Sequence, residues 1–118
     1  IMLDVLEHLY NPEELLREAI RVSKKYIIIS VPNFNSLPAR LQVLFGNVPE
    51  NNRPNKGHVF WFTYYNLTKM FKQNNLHIVE LRVNTFFENR FLLGNITRFF
   101  ARIFPSLFAL SFVVKLKK

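Results

Sequence analysis

Apolar residues fill two short stretches near the start of the chain, Ile1-Met2-Leu3 and Tyr26-Ile27-Ile28-Ile29-Ser30-Val31. The second, β-branched and interrupted only by Ser30, predicts a strand buried on both faces, as in a parallel sheet covered by helices. Between them Leu15, Leu16, Ala19, Ile20 and Val22 recur at helical spacing, with Arg17, Glu18 and Arg21 on the other side. Asn11-Pro12-Glu13-Glu14 marks the helix start. Asn11 suits the cap, Pro12 the first helical position and Glu14 the acid of a capping box. Ser23-Lys24-Lys25 ends that helix and Pro32 ends the second strand. Strand, helix, strand predicts a βαβ unit.

Further along, Leu37, Leu41, Leu44 and Phe45 predict a helix opened at Ser36 or Leu37, with Arg40 on another face. Gly46–Gly57, rich in Asn, Pro and Gly, predicts a long loop that delivers His58, and long loops are often functional. Thr63 suits the cap of a helix whose core side is Tyr64, Leu67, Met70 and Phe71, ending at Gln73-Asn74-Asn75. Leu76–Phe87 alternates and is rich in strand formers. Phe91–Phe104 predicts an amphipathic surface helix, broken by Pro105, with Arg90, Arg98 and Arg102 on a cationic side. Leu110–Lys118 alternates again and reads as an edge strand with a charged finish.

Composition sharpens this picture. The 118 residues include 13 phenylalanines and no cysteine, which suits a packed domain and excludes disulfide and thiolate chemistry. The lack of cysteine fits a cytoplasmic setting. No apolar run reaches the roughly 18–20 residues of a membrane span. The three glycines, Gly46, Gly57 and Gly94, are far apart, so no glycine-rich phosphate loop is present. The chain opens on Ile1 inside an apolar run, and the expectation is a domain truncated at its N-terminus. A formal charge of +8 is concentrated after Leu81, where Glu88 is the one acid among seven Arg and Lys. That balance favours anionic partners, a membrane surface above nucleic acid, against the alternative of a solvated basic face.

The candidate chemistry lies at the strand tips, where open α/β sheets bind ligands. Asp4, Glu7 and His8 are spaced i, i+3, i+4, so a helical turn would set them on one side. Carboxylate oxygen and imidazole nitrogen together suit a divalent ion, and His58 is a fourth candidate ligand. Three roles stay open for Glu7 and His8: metal ligand, general base or acceptor contact, and structural packing.

The ordered set Asp4-Val5-Leu6-Glu7-His8-Leu9, Asn11-Pro12, Ile28–Asn33, Gly57-His58 and Phe62-Thr63 resembles the C-terminal half of a class I S-adenosylmethionine-dependent methyltransferase. The resemblance implies an α/β fold, a partial three-layer Rossmann-like sheet comprising strands four to seven with flanking helices. Residues 1–118 would be the C-terminal portion of one methyltransferase domain. Ile1–Asp4 would end strand four, Tyr26–Pro32 would be strand five, and Leu76–Phe87 with Leu110–Lys117 the final antiparallel pair. It implies S-adenosyl-L-methionine as cofactor, bordered by Asp4, Val5 and Leu6, with His8 and Glu7 catalytic. Asn33, Phe34, Arg40, His58 and Trp61 would contact a small-molecule or lipophilic acceptor. Metal-dependent members of the family bind their ion through an acid-x-x-Glu-His run plus a later His. On that pattern Asp4, Glu7, His8 and His58 would hold Mg or Mn, although Asp4 stands where Glu is usual. The family's glycine-rich loop and its ribose-binding acid would lie upstream of Ile1, so the chain by itself is expected to be inactive. The competing expectation is a non-catalytic, basic, aromatic-rich module that binds a membrane surface or RNA through residues 90–108.

Overall fold

The computed structural model describes residues 1–87 and 89–118. Four strands form one mixed sheet: β1 (Met2–Leu3), β2 (Tyr26–Pro32), β3 (His77–Thr85) and β4 (Ala109–Lys117), in the order β1-β2-β4-β3. β1 runs parallel to β2, and β4 is antiparallel to both β2 and β3. Five helices accompany them: α1 (Pro12–Val22), α2 (Leu37–Leu44), α3 (Tyr64–Gln73), α4 (Phe91–Ile103) and α5 (Pro105–Phe108). The class is α/β, compatible with part of a Rossmann-like fold.

The core follows from the strand period. Ile27, Ile29 and Val31 of β2 and Phe112, Val114 and Leu116 of β4 share one face, and all are buried. Leu16 of α1 and Leu67, Met70 and Phe71 of α3 pack into the same cluster, so these two helices cover that face. Thr63 caps α3 through a capping box: its hydroxyl accepts from the Asn66 N–H, and the Asn66 side chain accepts from the Thr63 N–H.

Several expectations are corrected. The last strand is not an edge. β4 lies between β2 and β3, and its alternation reflects one face in the core and one half-buried, with β1 and β3 at the margins. β2 is not buried on both faces, because Ile28 is half-buried and Tyr26 exposed. Across that second face β3 presents the exposed Glu80, Arg82 and Asn84. Among the described residues α1 and α3 cover one side of the sheet, while on the other side Ala39 and Gln42 of α2 border a cleft over Ser30, Ser111 and Val113. Asn11 makes no capping hydrogen bond with its side chain. On α2 only Ala39 is buried, while Leu41, Leu44 and Phe45 face solvent instead of the core.

Candidate functional site

A 3-10 turn, Leu6–His8, follows directly on β1. Leu6 points into the core and is fully buried, which anchors the turn to the sheet. The backbone carbonyl of Glu7 accepts from the N–H groups of Val59 (2.8 Å) and Phe60 (3.0 Å). Those bonds bring the end of the long loop, and with it His58, against the turn. The loop itself is two 3-10 turns, Glu50–Asn52 and Pro54–Lys56, closed by Gly57 at φ 66°.

Glu7, His8 and His58 converge. Each offers one ligand-type atom within 4.8 Å of the others. The imidazole rings meet edge to face, 4.9 Å between centroids. His8 Nδ1 donates to the Gly57 carbonyl at 2.9 Å, and His58 Nδ1 to the Asn51 carbonyl at 2.7 Å. A carbonyl only accepts, so both Nδ1 atoms carry a proton, and in the neutral rings Nε2 is the atom with the lone pair. Backbone anchoring of one ring nitrogen is the outer-shell arrangement typical of metal-binding histidines. Glu7 is 1% exposed, and among the described residues its Oε2 has no hydrogen-bond partner. Burial pushes its carboxyl above the usual carboxylate range, and Asp4 adds to the rise. A hydrogen bond from its own backbone and the two histidines act in the opposite sense. A buried carboxylate oxygen without a partner costs free energy that a cation would offset. One carboxylate and two imidazoles fit a divalent ion.

Asp4 lines the same cleft as these residues but is not one of the three whose ligand atoms converge. It precedes the turn in a left-handed conformation, φ 51°, instead of opening a helical turn with Glu7 and His8. Its carboxylate accepts from the Ser30 hydroxyl at 2.6 Å, and its N–H donates to the Ser30 carbonyl at 3.1 Å. Ser30, the lone polar residue of its strand, is thereby explained. Val5 is exposed at the tip, whereas Leu6, buried in the core, has only its backbone to offer a cofactor.

The residues expected at an acceptor divide in two. Phe34 stacks on Trp61, 5.9 Å between ring centroids, and both border a small recess with His58. Asn33 is fully buried with its amide engaged: Nδ2 donates to the carbonyls of Ser106 (2.9 Å) and Ala109 (2.8 Å), and Oδ1 accepts from the Asn35 N–H. It ties the end of β2 to the start of β4, and its buried side chain is engaged within the protein. Arg40, exposed, donates to the Asn35 carbonyl at 3.0 Å and lines neither the recess nor the main cleft.

That cleft, of about 490 Å³, opens between the cluster and the second sheet face. Glu7, His8 and His58 lie on one side, Ser30, Ser111 and Val113 on the sheet, and Ala39 and Gln42 of α2 on the rim. Lys56, Asn51 and Gln42 line it without having been singled out from the sequence. Their only signal was membership of the long loop or of a weakly patterned helix.

A model of the family described as methionine biosynthesis protein MetW matches residues 1–94, from β1 into the first turn of α4. Comparison with curated proteins finds none that matches the chain.

Proposed function

The chain belongs to the MetW family, which is methyltransferase-like, and we propose that it carries the acceptor side of a methyl-transfer site. The observation that supports this reading most is the Glu7–His8–His58 cluster. It sits at the carboxyl end of a parallel strand pair, where open α/β sheets bind ligands, and faces a cleft sized for a small molecule.

S-adenosyl-L-methionine supplies, when bound, a methyl group on a sulfonium. In the transfer the carbon–sulfur bond breaks with its electrons left on sulfur, and the methyl carbon bonds to the acceptor atom. The protein's share is positioning and removal of the acceptor's proton. Asp4 and Val5, at the tip of β1, border the cofactor in this reading, with the backbone of Leu6. Two groups can take the proton: Glu7, whose raised pKa makes it a stronger base than an ordinary carboxylate, and His8 through Nε2. Alternatively, Glu7, His8 and His58 would hold Mg or Mn, with the two imidazoles favouring Mn, and His8 Nε2 would then be a ligand instead of the base. An ion there would polarise an acceptor hydroxyl. Phe34 and Trp61 offer an apolar wall beside His58. The lining by Ser30, Gln42, Lys56 and Ser111 favours a small polar acceptor.

The test uses protein isolated from its own source organism. It is incubated with S-adenosyl-L-methionine labelled in the methyl group and a small-molecule extract of the same cells. Label should pass to an acceptor, and His8→Ala should reduce the rate roughly 100-fold, the scale of a lost general base. No labelled product in any fraction would overturn the reading, as would unchanged labelling by both His8→Ala and Glu7→Ala.

A further inference from the structure

Helix α4 packs on the body of the protein with its small residues and turns its large apolar residues outward. Gly94, Thr97 and Ala101 are buried. The Thr97 hydroxyl lies 3.0 Å from the Phe86 carbonyl and fastens the helix beside the end of β3. Leu92, Ile96, Phe99 and Ile103, spaced by four, three and four residues, form a stripe on the opposite side, each more than half exposed. Arg98 and Arg102 are exposed along one flank between the two faces. Arg98 hydrogen-bonds to Asn95 and to the Gly94 carbonyl, and neither arginine has an acidic partner among the described residues.

We propose that this face of α4 docks the protein on an anionic lipid surface, with the stripe in the acyl boundary and Arg98 and Arg102 at the headgroups. The inference does not depend on methyl transfer. Charge selects the occupant. No acid follows Glu88 in the sequence, so α4, α5 and β4 present only cations. A second copy with its α4 packed antiparallel across this stripe would bring Arg98 and Arg102 of both chains to the same side, like charge beside like charge, and α4 itself carries no acid to offset it. Single-stranded nucleic acid would satisfy the charge and find rings in the exposed Phe91, Phe99, Phe100 and Phe104, but it would leave the aliphatic Leu92, Ile96 and Ile103, most of the stripe, without an apolar partner. An interfacial helix joins a wide apolar face to flanking arginines for an anionic surface.

Flotation of the full chain with vesicles tests this. Phosphatidylcholine vesicles containing about a quarter phosphatidylglycerol should carry the protein up the gradient. Pure phosphatidylcholine, or raising salt from about 0.1 to about 0.5 M, should weaken binding roughly tenfold or more. Ile96→Ser with Phe99→Ser should abolish flotation with an unchanged circular dichroism spectrum, since both sites are exposed. Arg98→Glu with Arg102→Glu should remove the preference for the anionic lipid. In a Trp61→Phe background, Phe99→Trp should be quenched by brominated acyl chains. Absence of flotation, quenching that fails to appear, or binding indifferent to both pairs of substitutions would each overturn the proposal. So would a vesicle-free dimer that the serine pair dissociates, because the face would then belong to a second copy.

Discussion

His8 donates from Nδ1 to the carbonyl of Gly57 at 2.9 Å, across 49 positions of sequence. Gly57 can place its carbonyl there because it adopts φ 66°, a left-handed conformation that L side chains avoid. A methyl group at Gly57 would meet the imidazole at 3.6 Å, an ordinary contact, so the cost of Gly57→Ala is conformational. It is expected to destabilise the fold by about 1–2 kcal/mol and to weaken Mn2+ binding roughly tenfold by releasing His8. Gly46→Ala is the control. Gly46 has φ 78° and open space around its Cα, so stability should fall similarly while Mn2+ affinity stays the same. Chemical denaturation and titration calorimetry read the two effects separately.

Glu7 gives a pH signature in the metal-free protein. Its native pKa is raised, chiefly by desolvation, so the folded state holds the proton more tightly than the unfolded state. The associated stabilisation is complete below the ordinary carboxylate pKa and is lost as pH rises through the raised native value. Urea midpoints should fall across that window, and Glu7→Gln should flatten the fall. Saturating Mn2+ should restore stability at neutral pH in the native protein but not in Glu7→Gln. A midpoint independent of pH in both would mean that Glu7 is better solvated than its burial indicates.

The strands and helices were legible where a single period ruled. Thr63 with Leu67, Met70 and Phe71 stands as expected, and so do the first helix and the paired β3 and β4. The place of β4 was not legible, because Leu110–Lys118 alternates whether it has one neighbour or two. The long loop hid most. Its two 3-10 turns carry no apolar period, yet they deliver the Asn51 and Gly57 carbonyls that orient both histidines. Sequence spacing grouped Asp4 with Glu7 and His8, but a left-handed residue at the strand end is a backbone event that spacing does not reveal.

Asn33 should behave as a structural residue. Asn33→Ala would leave the Ala109 and Ser106 carbonyls without their donor in a buried setting. A loss of about 1–3 kcal/mol is expected from the unmade hydrogen bonds. Mn2+ affinity should not change, because the Asn33 side chain lies outside the Glu7–His8–His58 cluster. Denaturation and calorimetry on the same samples make the comparison.

The two candidate helix caps should part company. Thr63→Ala removes the acceptor for the Asn66 N–H and should cost about 1 kcal/mol. Asn11→Ala removes no capping bond and should cost less than about 0.5 kcal/mol. Equal losses in thermal melts would mean that Asn11 caps α1 in solution.

Helix α4 should invert the ordinary response of an amphipathic helix to substitution. Ala101 is 1% exposed on the inner face, beside the buried Gly94 and Thr97. Ala101→Leu should therefore destabilise by about 1–3 kcal/mol, the cost of overpacking, although leucine is apolar and a good helix former. Leu92, 73% exposed, lies on the outer stripe. Leu92→Ala should change stability by less than about 0.5 kcal/mol, because it removes no buried contact. Large apolar residues on a core-facing helix would give the reverse order. Urea denaturation of the two variants decides between them: if Leu92→Ala is the more damaging, the outer stripe packs against the protein itself, and its availability to a lipid surface falls with it.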